Sequence, residues 1–268
     1  EALHAHAGDV LVFLPGAAEI RRVTRSLSEL AAEGVEVVAL HGSLSPREQD
    51  AALRPGERRR VVVASALAET SLTIPRIGIV VDAGLARHAV FNPARGMSHL
   101  ITEFATRAET EQRAGRAGRL GPGVAYRLWT EAEHRRLPPA PPPDITRDDL
   151  CPLALHVARW GTSVSRLHWL NPPPTQALQR ARDLLVDLEA LDASGQLTPR
   201  GRAMSDMALH PRLAHLVLVG HARGHGGGIQ VLAVGDALVD RAGRKCFGGR
   251  KLAGARDRVG RAHARAWA

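Results

Sequence analysis

A strand-like run leads directly into a helix start within residues 35–50, which read VEVVALHGSLSPREQD. Val35–Leu40 is rich in β-branched residues and has the length of a buried strand. Ser45, Pro46 and Glu48 then stand at the N-cap, the first and the third position of a helix, which is the pattern of a capping box. A strand joined to a capped helix is the repeating unit of a parallel α/β sheet.

The same alternation continues on both sides of this unit, over residues 9–130. Helical periodicity over Ala17–Glu33 separates the first strand from the second. Strands that alternate with helices predict a parallel, right-handed α/β sheet, which binds its ligands beyond the carboxyl ends of its strands. The predicted strands are Val10–Leu14, Val35–Leu40, Val61–Ala64 and Ile77–Val81.

The second half of the chain changes character after a proline-rich segment, which can form neither a helix nor a central strand. Thr146–Asp149 is predicted to cap a helix, and another helix is expected from Thr175. A turn at 192–195 and a short strand candidate at 196–198 follow, so two helices and a small wing indicate a winged-helix module. The predicted divisions are 1–136 for the sheet domain, 137–145 for an extended linker, 146–203 for the winged helix, 204–240 for the start of a helical bundle and 241–268 for a basic tail with little packed structure.

Composition and charge limit the function classes. The chain has 268 residues, is 44% hydrophobic and carries a net charge of +9, which favours a polyanionic partner, nucleic acid first. A coding sequence rich in G and C, which enriches arginine, is the alternative source of that charge. Two distant cysteines and the lack of a long apolar run predict no metal site, no membrane span and a cytoplasmic location. Because the chain begins at Glu1, we expect it to be an internal or trimmed piece.

Residues 112–119, QRAGRAGR, place three arginines at a constant spacing of three. Arginines at this spacing share one face of a helix, and a planar guanidinium binds phosphate oxygens in a fork. The stretch therefore predicts a phosphate-binding device, with a solvated basic helix face as the alternative. The sequence contains no Gly-x-x-x-x-Gly-Lys-Ser/Thr loop that would hold a nucleotide by itself.

Taken in order, the motifs of residues 10–128 resemble the second RecA-like domain of a DEAH-box ATP-dependent RNA helicase of the bacterial HrpB type. Segments around Trp160, Trp169 and His210 resemble the winged-helix and helical-bundle domains that follow in that family, and we expect both tryptophans in the winged-helix core. The motifs that carry the resemblance are VFLPG at 12–16, LHGSLS at 40–45, SALAETSLTI at 65–74, DAG at 82–84, a hairpin position at 90–93, QRAGRAGR at 112–119, RWG at 159–161, LHWL at 167–170 and LHPRL at 209–213.

This resemblance implies a RecA-like parallel sheet of the P-loop NTPase type, followed by a small α-helical winged-helix domain and a helical segment. It also implies hydrolysis of ATP with Mg²⁺, bound mainly by a first RecA-like domain that this sequence does not contain. The implied partner is single-stranded or partly duplex RNA, with DNA left open, and the implied activity is unwinding with 3′-to-5′ translocation. A non-catalytic RNA-binding or partner-docking module derived from a helicase half is the alternative.

The resemblance assigns the nucleotide-binding residues one by one. Gln112 matches the residue that orients the attacking water, and Arg116 and Arg119 match the arginine fingers that stabilise the transferred phosphoryl group. Ser71 and Thr73 match residues that sense the nucleotide. Together these five residues form the expected ATP-binding set, with the first three as its catalytic members.

Gly16, Ser43, Ser65 and Phe91 are the expected RNA contacts. Phe91 would act by stacking on a base, with a packing role as the equal alternative. Arg113 is left as a candidate for a structural role.

Other positions have local explanations or depart from the family. His41 is interpreted as a strand-end histidine satisfied by backbone groups, and Thr70 as a local cap. Ala66 and Pro75 stand where the family carries polar residues, so the corresponding contacts with RNA and ribose are not expected.

Overall fold

The structure is a computed structural model that describes residues 1–69, 74–119 and 121–224. Its strands are β1 (Asp9–Phe13), β2 (Glu36–Leu40), β3 (Arg60–Ala64), β4 (Ile77–Asp82), β5 (Leu85–Asn92), β6 (Met97–Phe104) and β7 (Val124–Arg127). Its α-helices are α1 (Ala2–Ala5), α2 (Ala17–Ser26), α3 (Pro46–Leu53), α4 (Arg107–Ala114), α5 (Glu131–Arg136), α6 (Cys151–Arg159), α7 (Thr175–Asp187), α8 (Pro199–Ser205) and α9 (Pro211–Ala222). Short 3-10 helices cover Ser28–Glu33, Ala66–Ala68, Asp144–Thr146 and Val164–Arg166.

Within the described residues, five strands form one parallel sheet in the order β2, β3, β1, β4, β7. The predicted strands are confirmed, each within one residue of its expected ends. The edge strand β7 was not predicted. It has only four residues and none of them is buried, so it lacks the long apolar run by which the other strands were predicted. The predicted capping box at Ser45 is also confirmed, since the Ser45 and Glu48 side chains each bond the other residue's backbone N–H.

Both faces of the sheet are buried, as parallel sheets with helical crossovers require. Leu11 and Phe13 of β1 enter one apolar core, whereas Val10 enters the core on the opposite face. Ile20 of α2 is fully buried in that second core. Alternate side chains of one strand therefore hold the two layers together, which explains why these strands read as continuous apolar runs.

Strands β5 and β6 pair with each other in a two-stranded sheet of their own. Only residues 93–96 connect them. Because a connection this short can join only antiparallel strands, β5 and β6 are antiparallel. Asn92 shapes the turn, because its side-chain Oδ1 accepts hydrogen bonds from the N–H groups of Ala94 and Arg95. Gly96 ends it with a φ of +64°, a conformation that glycine adopts without strain. The hairpin expected at this position is confirmed.

The chain divides into two compact units. Among the described residues, the first contains Glu1–Val90 and His99–Pro142, and the second contains Phe91–Ser98 and Pro143–Gly224. In the second unit, α6, α7, α8 and α9 enclose an apolar core. The predicted turn at 192–195 is present, and the short strand expected after it is a single antiparallel bridge between Leu191 and Leu197.

Two expectations for this second unit need correction. Within the predicted cap Thr146–Asp149, the Thr146 hydroxyl bonds the Pro143 carbonyl, and it is Asp149 Oδ1 that accepts from the N–H of Cys151, the first residue of α6, at 2.9 Å. Trp160 is not a core residue, since it is 70% exposed just beyond the last turn of α6. Trp169 does pack against the core of this unit, and its indole N–H donates to the Val164 carbonyl at 2.8 Å.

Every helix in residues 1–69, 74–119 and 121–224 is too short or too polar to cross a bilayer. The same part of the chain contains no group of three acidic, histidine or cysteine side chains arranged to bind a metal ion. The basic tail predicted for 241–268 and the bundle residues beyond 224 lie outside the described residues.

Candidate functional site at the carboxyl edge of the sheet

Gly16, Ser43 and Ser65 follow the carboxyl ends of β1, β2 and β3. These strands are neighbours and parallel, so their ends lie along the same edge of the sheet. Ser43 is exposed and Ser65 is half-buried, and the Ser65 N–H donates to the Leu40 carbonyl at 3.1 Å. The fold therefore brings three of the expected RNA contacts to one edge.

Gly16 is buried at the N-cap of α2, beneath the side chain of Arg87. A methyl group added at Gly16 would lie 2.1 Å from an Arg87 guanidinium nitrogen, so a larger residue there would require the Arg87 side chain to move. Glu19 Oε1 accepts from Arg87 at 3.1 Å, and Thr102 Oγ1 accepts from Arg87 Nε at 3.0 Å. A phosphate that approaches the start of α2 therefore meets the Arg87 guanidinium before it meets Gly16.

Helix α4 carries the first part of the arginine cluster to this edge. Thr106 caps the helix, and the Glu109 carboxylate accepts in return from the Thr106 N–H at 2.7 Å. The helix ends at Ala114, and turns closed by bonds such as Arg116 N–H to the Arg113 carbonyl continue the chain. The expectation that the arginines share one helix face was therefore wrong, because the helix ends before the second arginine.

Arg113 points into the protein, and only 1% of its surface is exposed. Its Nη1 donates to Asp82 Oδ1 at 3.0 Å and to the Leu85 carbonyl at 3.1 Å. Its Nε and Nη2 each approach Glu69 Oε2 at 3.4 Å, and its guanidinium carbon lies 5.4 Å from the centre of the Phe13 ring. Arg113 thus joins β1, β4, the segment after β3 and α4, which confirms the structural role considered for it.

Burial raises the pKa of the Glu69 carboxyl, and the nearby Arg113 charge opposes that rise. Asp82 is equally buried, and its Oδ1 also accepts from the Gly84 N–H at 2.9 Å. Arg113 is the cation that both buried carboxylates contact, so its removal would leave their charges uncompensated. The arrangement therefore holds the end of α4 firmly against the sheet.

The remaining residues of the cluster lie at different depths. Gln112 and Arg119 are exposed, whereas Arg116 is half-buried and donates to the backbone carbonyl of Glu69. Burial lowers the pKa of Arg116, and the positive charge of Arg119 lowers it further. The negative charge of Glu69 acts in the opposite direction and raises the pKa of Arg116.

The turn after α4 is held by a close backbone approach. Ala117 is 2% exposed and packs into the core, and a methyl group at Gly123 would lie 2.1 Å from the Ala117 carbonyl oxygen. Only glycine at 123 lets β7 start beside this turn. The small residues of the cluster thus serve local packing at Ala117.

His41 lies at the end of β2 and is 7% exposed. Burial lowers the pKa of its imidazole, and the charge of Arg21 lowers it further. The expectation that backbone groups satisfy this ring was wrong for Nδ1, which has no hydrogen-bond partner among the residues described. The neutral ring therefore presents an unpaired nitrogen near the edge that carries Ser43.

Three of the expected site residues are not among those that the described part of the first unit places at this edge. Phe91 belongs to the second unit, where it is half-buried and its N–H donates to the Arg147 carbonyl at 3.0 Å. Ser71 and Thr73, expected to contact the nucleotide, lie outside the described residues, as does Thr70.

Sequence reasoning missed Glu69, Asp82, Arg87 and Gly123 as parts of the site. Glu69 and Asp82 lie within motifs that the sequence analysis quotes, and a charged residue inside an apolar strand or beside one was the available signal. Arg87 and Gly123 gave no signal, because their roles depend on backbone segments distant in sequence.

Comparison with known proteins agrees with this arrangement. The family model for the helicase conserved C-terminal domain matches residues 1–121, and that for the winged-helix part of the helicase-associated domain (HA2) matches residues 181–209. The chain therefore contains a helicase C-terminal domain with a RecA-like fold.

Similar proteins narrow the family further. The chain is 38% identical over 221 residues to the ATP-dependent RNA helicase HrpB of Escherichia coli, covering 81% of this chain and 27% of that protein. It is 39% identical over 217 residues to a probable ATP-dependent RNA helicase, the DHX35 homologue of Caenorhabditis elegans, covering 78% and 30%. A crystal structure of the Escherichia coli DEAH/RHA helicase HrpB matches with a TM-score of 0.80 at 36% identity, covering 87% of this chain and 30% of that one.

The chain thus contains helicase C-terminal and HA2 winged-helix domains and is similar to DEAH-box RNA helicases, which confirms both the resemblance and the fold class inferred from its motifs. It spans less than a third of the length of the relatives just named.

Proposed function

We propose that this chain is the C-terminal part of an ATP-dependent RNA helicase and that it supplies the groups that act on the γ-phosphate of ATP. The observation that carries the proposal is the burial of Arg113 between Asp82 and Glu69. That burial fixes the end of α4 beside the sheet edge, and Arg116 and Arg119 follow directly after that helix.

In the proposed reaction, Gln112 orients the attacking water, since an amide offers both a donor and an acceptor. Arg116 and Arg119 neutralise the charge that develops on the transferred phosphoryl oxygens. Guanidinium groups repel a cation, so the Mg²⁺ that accompanies ATP would be held mainly by another RecA-like domain, and it would supply charge neutralisation at the phosphates. Ser71 and Thr73 complete the proposed nucleotide contacts.

RNA is proposed to cross the same edge of the sheet. Ser43 and Ser65 would contact its phosphates, with Arg87 above Gly16 providing a cation at the start of α2. Phe91, on the hairpin, would stack on a base. The 3′-to-5′ direction is proposed from the family resemblance.

The test is substitution of the two fingers in the complete enzyme. Arg116→Ala or Arg119→Ala should lower the rate of RNA-stimulated ATP hydrolysis by a factor of about 10³ or more, because each finger acts in the transition state. RNA affinity should stay within about twofold, since phosphate contacts elsewhere supply it. Phosphate release and RNA-binding titrations measure the two quantities.

Arg107→Ala is the matched control, because Arg107 is an exposed arginine on the same helix. It should leave hydrolysis unchanged. A variant of Arg116 or Arg119 that loses RNA binding but keeps its ATPase rate would contradict the finger assignment.

A non-catalytic RNA-binding module is the second candidate, favoured by the net charge of +9 and the lack of a Gly-Lys-Ser/Thr loop in the sequence. Such a module would bind RNA with a steep dependence on salt. The RNA affinity of the complete protein would then be the same with and without ATP, whereas the helicase proposal requires that ATP change the RNA affinity.

A further inference from the structure

A polar cluster in the second unit centres on Asp149, which is 9% exposed. Its Oδ2 lies 3.0 Å from His210 Nε2 and 4.0 Å from Arg212 Nη2, and its Oδ1 accepts from the Cys151 N–H at 2.9 Å. Burial raises the pKa of Asp149, but the hydrogen bond from His210 and the other contacts outweigh burial and hold the pKa below its ordinary value. Asp149 is therefore ionised at neutral pH.

The bonds of His210 follow from its two ring nitrogens. Nδ1 lies 3.3 Å from the backbone N–H of Arg212, which can only donate, so Nδ1 accepts. Nε2 then carries the proton in the neutral ring and donates to Asp149. His210 is the N-cap of α9, so this arrangement fixes the first turn of the helix that carries Arg212.

Arg212 lies against the turn of the hairpin. A methyl group added at Gly96 would lie 3.1 Å from the guanidinium carbon of Arg212 and 3.2 and 3.3 Å from its two terminal nitrogens. Three nearly equal distances mean that the flat face of the guanidinium covers Gly96. Glycine serves this contact in two ways, because it also supplies the φ of +64°.

A second contact holds the other end of the turn. The Phe91 N–H donates to the Arg147 carbonyl at 3.0 Å, and Arg147 lies two residues before Asp149. The turn at 92–96 is thus held on one side through backbone and on the other by the Arg212 guanidinium, which lies 4.0 Å from the ionised Asp149 carboxylate.

We propose that Asp149, His210 and Arg212 form a brace that positions the hairpin turn for the separation of RNA strands, with Arg212 as the positioning residue. The inference rests on the proposed function, because strand separation is part of it. A hairpin that parts a duplex must keep its place while the strands press on it, and an unbraced two-stranded hairpin is only marginally stable.

The brace itself is tested on the 268-residue chain by hydrogen exchange. Arg212→Ala should raise the exchange rate of amides in Phe91–Ser98 by about fivefold or more, because the turn opens locally when one of its supports is lost. Arg182→Ala, at an exposed arginine of α7, is the matched control and should leave the rate unchanged. Equal exchange in Arg212→Ala and the parent overturns the brace.

The consequence for strand separation is tested in the complete enzyme. Arg212→Ala should lower the rate of duplex unwinding by about tenfold while RNA-stimulated ATP hydrolysis stays within about twofold. Arg212→Lys keeps the charge but lacks the flat guanidinium face, so its unwinding rate should lie between those of Arg212→Ala and the parent enzyme. Equal loss of hydrolysis and unwinding, or no loss of unwinding, overturns the positioning role.

Gly96→Ala gives a second variant that leaves the start of α9 untouched. Its methyl group must displace the guanidinium by a few tenths of an ångström, so exchange in the turn should rise as in Arg212→Ala. An unmodified enzyme that does not unwind RNA refutes the proposed function instead, and hydrogen exchange still decides whether the brace exists.

Discussion

Arg113 shows how one residue type takes different roles within eight positions. Arg113, Arg116 and Arg119 follow the same spacing, yet the first is buried, the second half-buried and the third exposed. Asp82 and Glu69 determine the difference, since they offer Arg113 buried carboxylates. Arg113 organises the proposed phosphate site without reaching its surface.

Arg113→Met should destabilise the protein by about 3–5 kcal/mol, because it leaves two buried carboxylates without a cation. The free energy of unfolding in urea measures the loss. Arg107→Ala on the same helix should change that free energy by less than about 0.5 kcal/mol, as surface substitutions do. If Arg113→Met were as stable as the parent, the ion-pair network would not be what holds α4.

At the scale of elements, α4 is a short helix whose start and end have separate supports. Thr106 and Glu109 form a capping box at its start, and Arg113 fixes its end. Helix α5 has the same capping box, formed by Thr130 and Glu133. The two helices therefore allow a matched comparison.

Thr106→Ala and Thr130→Ala should each cost about 1 kcal/mol of folding free energy, because each removes an N-cap oxygen. Only Thr106→Ala should also slow ATP hydrolysis in the complete enzyme, since only α4 carries the proposed catalytic residues. Urea unfolding and phosphate release measure the two effects. Equal ATP hydrolysis rates in the two variants would show that the position of α4 does not matter for hydrolysis.

At the scale of the whole molecule, the chain joins two compact units of different character. The first contains the parallel sheet, with Arg116 and Arg119 following α4 near the carboxyl edge of that sheet. The second is helical and includes the hairpin turn with its brace. The motor function proposed above requires a further RecA-like domain to complete the nucleotide site.

We therefore predict that the 268-residue chain alone hydrolyses no ATP above background, with or without RNA. Its fingers act on a γ-phosphate, and its sequence has no Gly-Lys-Ser/Thr loop to hold one. A phosphate-release assay on the purified chain, with heat-denatured chain as the control, measures this. Reproducible turnover would mean that the chain holds a nucleotide by itself.

The sequence alone determined four of the five strands of the parallel sheet and the Ser45 capping box, and its motifs indicated the hairpin position and the family. The strands and the cap follow from local rules, such as apolar periodicity, β-branched content and the bonds of a cap four residues long. The hairpin position and the family follow instead from the resemblance of the ordered motifs to a known family.

Only the tertiary structure decided which arginine of the cluster is buried, because the partners of Arg113 lie 31 and 44 residues away in sequence. It likewise decided that Trp160 is exposed, that Gly123 must be glycine and that Arg212 covers Gly96. Each depends on which distant segments meet, and local propensities do not contain that information.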